Sequence, residues 1–182
     1  KLLDDNTLDV QYFKGPVDET DSEKQLASII KRLNEQNEWL RNQPVDALIG
    51  IIGEVSKRWL SDPKYMFLKD KGLLFLSQWC GERHLRQIAK DGLRGNVRYA
   101  DEFLPLADSE KHLMRANARG LVCHWMAGNV QILGMFALVQ SILTKNANLV
   151  KVAAKDVGVF ANLVRAFENL EYTTKDGFCI KG

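Results

Sequence analysis

A run of 25 residues without Asp, Glu, Lys or Arg, from Gly120 to Thr144, most constrains what this chain can fold into. A membrane-spanning helix needs about 20 predominantly apolar residues, so the run is long enough for one. Five polar residues interrupt it: His124, Asn129, Gln131, Gln140 and Ser141. Because a polar group in lipid costs free energy unless it finds a partner, we expect part of a buried core rather than a membrane span.

The hydrophobic pattern changes in a regular order through this run and beyond it. A short apolar stretch, "GLVCHW", is followed by the loop-like "MAGN", and "VQILGMFALVQSILTK" then has the length of a buried helix. After the turn "NAN" come a second strand, "LVKVA", a loop, "AKD", and an amphipathic helix, "VGVFANLVRAFENL". This order predicts an α/β fold class with two parallel strands joined by a crossover helix.

The first half of the chain has the pattern of amphipathic helices, with apolar residues at helical spacing. Breaks are predicted at Pro44, at Asp62-Pro63, near Gly81 and at Gly92. The stretch that follows, "YADEFLPLADSE", is rich in turn residues. We therefore expect a mostly helical region, 1–96, that packs on the same domain as an α/β region, 97–182. The strand–helix unit within the α/β region covers about residues 119–170.

Charge and cysteine content exclude several classes of function. The formal net charge is +2, so charge provides no argument for nucleic-acid binding. Basic residues in 31–42 and 81–95 alternate with acids and are interpreted as solvated helix faces. Cys80, Cys123 and Cys179 have neither a C-x-x-C pair nor metal-ligand spacing. We therefore expect no metal site, and reduced thiols in a cytoplasmic protein, with Cys80 and Cys123 as structural residues.

Two segments come at the ends of the predicted strands: "MAGN" after the first, and Lys151 with the following "VAAKD" at the end of the second. Open parallel sheets bind ligands at this edge, outside the carboxyl ends of their strands. Asn129, in the first segment, could cap the next helix or donate its amide to a developing oxyanion. Lys151, in the second, could extend into solvent or bind ribose hydroxyls or a phosphate. His124 is interpreted as a hydrogen-bonded core histidine. The residues alone leave these alternatives open, because G-x-G-x-x-G, P-loop and nucleophile-elbow motifs are absent.

A longer stretch carries a specific resemblance. "VRYADEFLPLADSEKHLMRANARG" and the following "GLVCHWMAGNVQILGMFALVQSILTKNANLVKVAAKDVGVFANLV" resemble the LuxC-type acyl-CoA reductases, the fatty acid reductases of bacterial bioluminescence and their relatives. That family is similar to the aldehyde dehydrogenase superfamily, in which a strand ends in an Asn-bearing loop and a later strand ends in Lys-Pro-Ser-Glu. The counterparts here are "MAGN", ending at Asn129, and "KVAA", beginning at Lys151. The match covers roughly residues 97–165.

The resemblance implies an aldehyde-dehydrogenase-like, Rossmann-type parallel sheet. It also implies an oxidoreductase that reduces a fatty acyl-CoA or another acyl thioester to the fatty aldehyde through an acyl-cysteine intermediate. Asn129 would be the oxyanion-hole donor of that reaction. The alternative is a catalytically inactive nucleotide-binding or interaction module of the same fold. Gln131, in place of the usual Pro, and the "KVAA" sequence favour that alternative.

The same resemblance implies an NADPH site. Its expected members are Met126, Ala127, Gly128, Lys151, Ala153 and Ala154. The backbone of residues 126–128 would line the nicotinamide side, and Lys151 would bind the adenosine ribose or its 2′-phosphate. Ala154 stands where the superfamily has a carboxylate that would repel a 2′-phosphate. With Lys151 and Lys155 nearby, charge favours NADPH over NADH.

The resemblance also implies a longer enzyme. The nucleophilic cysteine of the family lies well over a hundred residues beyond the Asn, so we expect it beyond residue 182 and do not expect Cys179 to replace it. This chain would then be the N-terminal part, inactive alone. The implied acyl donor is a fatty acyl-CoA or an acylated protein. The implied assembly is a homo-oligomer or a complex with an acyltransferase and a synthetase.

Overall fold

The computed structural model describes residues 19–128 and 132–182, apart from the side chains of residues 19–21, 110 and 154. The predicted strand, helix, strand, helix order and the mixed α/β class are both present. The α-helices of these residues are α1 (Glu19–Asn42), α2 (Val45–Ser61), α3 (Leu73–Trp79), α4 (Glu82–Gly92), α5 (Leu133–Leu143) and α6 (Val157–Val164). The strands are β1 (Leu104–Leu106), β2 (Ser109–Met114), β3 (Leu121–Trp125), β4 (Ala147–Lys151), β5 (Glu171–Thr173) and β6 (Cys179–Lys181). Short 3-10 helices cover Pro63–Lys71, Val97–Ala100, Ala154–Asp156 and Arg165–Phe167.

The helical half follows the predicted breaks. Proline lacks the backbone N–H that a helix interior requires, and α1 ends just before Pro44. Pro44 occupies the N-cap position of α2, and its side chain has no atom that could accept a hydrogen bond. The carboxylate of Asp101 accepts one from the N–H of Val45 instead, at 3.0 Å. The carboxylate of Asp62 accepts from the N–H of Lys64 and starts the next 3-10 helix. These contacts set the helix ends.

Helix α2 forms the centre of the core. Most of its residues are buried, and Trp59 is fully buried with its indole N–H donating to the carbonyl of Leu163 at 3.0 Å. The same apolar cluster includes Met135 of α5 and Phe160 of α6. The helical half and the α/β half therefore share one core.

Strands β3 and β4 form the predicted parallel pair, with Leu121 opposite Ala147 and Trp125 opposite Lys151. Helix α5 connects them and contacts both. It is 11 residues long, shorter than predicted, because it begins at Leu133. None of the helices in residues 19–128 and 132–182 combines the length and apolarity that a membrane crossing requires.

Two antiparallel hairpins were not predicted. Strands β1 and β2 pair in the stretch interpreted as turn-rich, and β5 pairs with β6 near the end of the chain. The β5–β6 hairpin lies against α2, where the ring of Tyr172 covers Gly50. Three of these strands have only three residues, and β2 begins with four polar residues, so none of them shows the apolar run that revealed β3 and β4.

Candidate functional site

The candidate site lies where β3 and β4 end together. Because the strands are parallel, their carboxyl ends meet at one edge, and Trp125 stands directly opposite Lys151. The ladder continues one step further, since the N–H of Met126 donates to the carbonyl of Lys151 at 3.0 Å. The two segments that the sequence singled out therefore leave the sheet side by side.

Gly128 brings these two segments into contact. A Cβ atom on Gly128 would lie 2.9 Å from the Cβ of Ala153, 3.0 Å from Cε of Lys155 and 3.3 Å from a carboxylate oxygen of Asp156. Those distances leave no room for a side chain without movement of the neighbours. The turn after β3 therefore packs directly on the 3-10 helix after β4, with the buried Asp156 beneath it.

Lys151 presents its charge at this edge. Its side chain is exposed, and Nζ lies 4.8 Å from the ring centroid of Trp125, a cation–π contact. Within the described residues Lys151 has no carboxylate partner, so the ammonium is available to an anion. The indole of Trp125 is 82% exposed and forms a flat apolar wall beside it. Sequence reasoning missed Trp125, although its place at the end of the predicted strand "GLVCHW", directly before residues 126–128, was a usable signal.

The other predicted site residues are placed differently. Met126 packs inward: a Cβ on Gly134 of α5 would lie 2.9 Å from its sulfur and 3.0 Å from the ring of Phe160. Ala127 is exposed next to it, and Ala153 is half-buried. Residues 129–131, with the predicted donor Asn129, and the side chain of Ala154 lie outside the described residues.

The alternatives for the polar residues near the site are partly resolved. Ile132 takes the N-cap position of α5 without a side-chain hydrogen bond, and both roles considered for Asn129 stay predictions because that residue lies outside the described residues. His124 is hydrogen-bonded as expected, donating from Nε2 to the side-chain oxygen of Asn148 at 2.8 Å, but it is half-buried rather than fully inside the core.

The cysteines divide into one inert thiol and two more accessible ones. Cys80 is fully buried, and burial raises the pKa of its thiol to about 12, which suppresses the thiolate. Cys123 was expected to be structural, but it is exposed on β3, because the β3–β4 pair leaves that face of the strand uncovered. Cys179 is half-buried. No cluster of potential metal ligands occurs among residues 19–128 and 132–182.

Comparison with known proteins identifies the family. The long-chain acyl-protein thioester reductase of Aliivibrio fischeri is 25% identical to the chain over 158 residues, which are 78% of this chain and 32% of that protein. The protein of the same name from Photorhabdus luminescens is 26% identical over 152 residues, 74% of this chain and 30% of that protein. The chain thus spans about a third of the length of these curated relatives. No solved structure matches it.

A family model supports the same assignment over most of the chain. The model described as Acyl-CoA reductase (LuxC) matches residues 40–177, which include α2 to α6 and the candidate site. Its match begins in the helical half, where the sequence itself carried little specific signal. The chain belongs to the LuxC acyl-CoA reductase family.

Proposed function

We propose that this chain supplies part of the NADPH site and the oxyanion-hole donor of a reductase that converts a fatty acyl thioester to the fatty aldehyde. The observation that carries the proposal is the contact between the turn 126–128 and the segment 151–156 at the carboxyl ends of two parallel strands. Ligands of open parallel sheets bind at such an edge. Family membership supports the acyl reduction.

The residues at this edge fit a nucleotide with an extra phosphate. Lys151 has an exposed ammonium with no carboxylate partner among the described residues, and Lys155 is exposed on the adjacent 3-10 helix. Position 154 is Ala, so this side chain offers no negative charge to repel a phosphate. The flat indole of Trp125 can support an apolar ring beside the cation. On this basis NADPH is the proposed cofactor, and when bound it supplies the hydride.

The proposed fold is an aldehyde-dehydrogenase-like Rossmann unit. Residues 97–182 form the first part of the dinucleotide-binding domain, and the described helices of residues 19–96 pack on the same domain. The parallel register of β3 and β4 and the crossover by α5 support this assignment. The backbone of residues 126–128, between β3 and α5, then lines the nicotinamide side.

The proposed reaction needs two protein groups at the thioester. Asn129, directly after Gly128, donates its side-chain amide to the oxygen that becomes negative when the carbonyl is attacked. The attacking cysteine thiolate would form an acyl-cysteine as the C–S bond of the donor thioester breaks and the donor leaves as its thiolate; we assign this nucleophile to a cysteine outside this chain. Cys80 is buried with a raised pKa and is unsuited to the role.

The proposed acyl donor is a fatty acyl-CoA or an acylated protein. The first follows the description of the family, and the second follows the names of the curated relatives. We propose that the enzyme acts in the cytoplasm, either in a complex with an acyltransferase and a synthetase or as a homo-oligomer. An acylated donor protein would agree with the first arrangement.

The experiment uses protein expressed from the complete gene. NADPH absorbance is followed with a long-chain acyl-CoA, with NADH in parallel and after thiol alkylation. We expect oxidation that requires the thioester, prefers NADPH and stops on alkylation. If the protein binds NADPH but turns over neither the acyl-CoA nor an acylated protein donor, the result favours the inactive nucleotide-binding module. If it binds no cofactor, both the reductase and the nucleotide-binding module are refuted.

A matched pair of lysine variants tests the cofactor edge. Lys151→Met removes the cation opposite Trp125, whereas Lys90→Met removes an exposed lysine of α4. A charged hydrogen bond contributes about 1.5–3 kcal/mol, so we expect the NADPH KM to rise about tenfold or more in Lys151→Met. The KM in Lys90→Met should stay at the wild-type value. Equal KM values in the two variants would contradict the assignment of Lys151.

A further inference from the structure

A polar pocket lies at the other end of the parallel strands. Its volume is about 390 Å³, and its lining includes Arg41 at the end of α1, Arg115 after β2, Lys145 before β4 and the segment 116–118. Lys145 precedes β4, whereas Lys151 ends it. Strands rise about 3.3 Å per residue, so roughly 13 Å of sheet separates this pocket from the candidate cofactor edge.

One of the three cations in the pocket is already neutralised. The ammonium of Lys145 is buried and lies 2.5 Å from a carboxylate oxygen of Asp101, and it also donates to the carbonyl of Arg41. Asp101 is in turn held at the start of α2, where it accepts from the N–H of Val45. This pair is part of the framework that joins α1, α2 and the turn before β4.

The two arginines have no such compensation. Within the described residues, neither Arg41 nor Arg115 forms an ion pair with a carboxylate. Arg41 donates only weakly, from Nη2 to the carbonyl of Ala118 at 3.4 Å. Nε of Arg115 is buried and has no hydrogen-bond partner among the described residues. Two guanidinium groups that line the same pocket and lack carboxylate partners in the described part of the chain point to an anion in that pocket.

We propose that this pocket binds the phosphate group of a small organic phosphate. A phosphate monoester carries a charge of about −1.5 to −2 at neutral pH, which matches the two uncompensated guanidinium groups. Guanidinium groups bind phosphate oxygens through paired N–H donors. The volume lies near the lower limit of small-molecule sites, which is about 300 Å³. The site is separate from the proposed cofactor edge, and its occupancy does not depend on the proposed reaction.

The test measures binding of glycerol 3-phosphate and inorganic phosphate by calorimetry to the full-length protein at constant ionic strength, with acetate as the control anion. The variants are Arg115→Gln and Arg41→Gln, and the matched control is Arg119→Gln, an exposed arginine outside the pocket lining. Lys151→Met removes the cation at the cofactor edge, the other place where phosphate could bind.

We expect saturable phosphate binding in the wild type, in Arg119→Gln and in Lys151→Met. Loss of one charged hydrogen bond should weaken it about tenfold or more in Arg115→Gln and Arg41→Gln. Absence of saturable binding, equal affinity for acetate, or loss in Lys151→Met with retention in Arg115→Gln would overturn the proposal. Arg41 is exposed, so its variant decides the matter if Arg115→Gln does not fold.

Discussion

Replacing Gly50 by Ala tests the packing between the core helix and the last hairpin. Gly50 is buried in α2, and a Cβ atom there would lie within 2.5 Å of three ring carbons of Tyr172 on β5. Either the ring moves away or the hairpin separates from α2. The residue must therefore be glycine although it lies in the middle of a helix, where glycine is unfavourable.

Two opposing terms set the magnitude. Overpacking a filled site costs up to about 3 kcal/mol. Replacing glycine by alanine inside a helix contributes about 1 kcal/mol of stability. The expected result for Gly50→Ala is a net loss of about 2 kcal/mol in the free energy of unfolding. Gly158→Ala in α6 is the matched control, because apart from its chain neighbours and the backbone of its own helix no atom lies within 4 Å of its added Cβ, and it should gain up to about 1 kcal/mol.

The assay is urea unfolding of the purified protein, followed by tryptophan fluorescence, for which the buried Trp59 is a suitable reporter. Gly50→Ala should unfold at lower urea than the wild type, and Gly158→Ala at higher urea. The double variant Gly50→Ala/Tyr172→Ala removes the overlap, so its effect should be smaller than the sum of the two single effects. If Gly50→Ala is as stable as Gly158→Ala, or if the double variant is additive, the packing argument is wrong.

Four further predictions follow from single residues. Lys145→Met should lower the free energy of unfolding by about 2 kcal/mol in urea titrations, because the carboxylate partner of this buried ammonium loses its pair. Gly128→Ala should raise the Kd for NADPH in fluorescence titrations, because its added Cβ displaces the segment after β4. An unchanged Kd would contradict the role of this contact in cofactor binding. Asn129→Ala in the complete enzyme should lower kcat about 100-fold or more, whereas kcat near the wild-type value would refute the oxyanion role. Cys80 should resist alkylation at pH 8 in the folded protein, whereas the exposed Cys123 should react. Above pH 9.0, the ordinary pKa of a cysteine thiol, the unfolded state loses the Cys80 proton while the folded state keeps it. The free energy of unfolding should therefore fall between pH 9.0 and about 12, and Cys80→Ala should reduce that slope.

Local chemistry made much of the fold predictable. Pro44 ends α1 because proline cannot supply a helix N–H, and Gly81 separates α3 from α4. Apolar runs of strand and helix length predicted β3, α5 and β4 in the correct order. The hairpins were missed because β1, β5 and β6 have only three residues each and β2 begins with four polar residues. The β5–β6 hairpin is held by its packing on α2, which the local sequence does not reveal.

The sequence by itself determined which segments leave the two parallel strands, and so it singled out Lys151 and the turn at Gly128. Only the tertiary structure decided that Trp125 stands opposite Lys151 and that Gly128 touches Ala153. It also decided that Asp101 caps a helix 56 residues away in the chain. The physical reason is that helix and strand formation depend on neighbours a few residues apart, whereas register and close contact between distant segments depend on how the whole core packs.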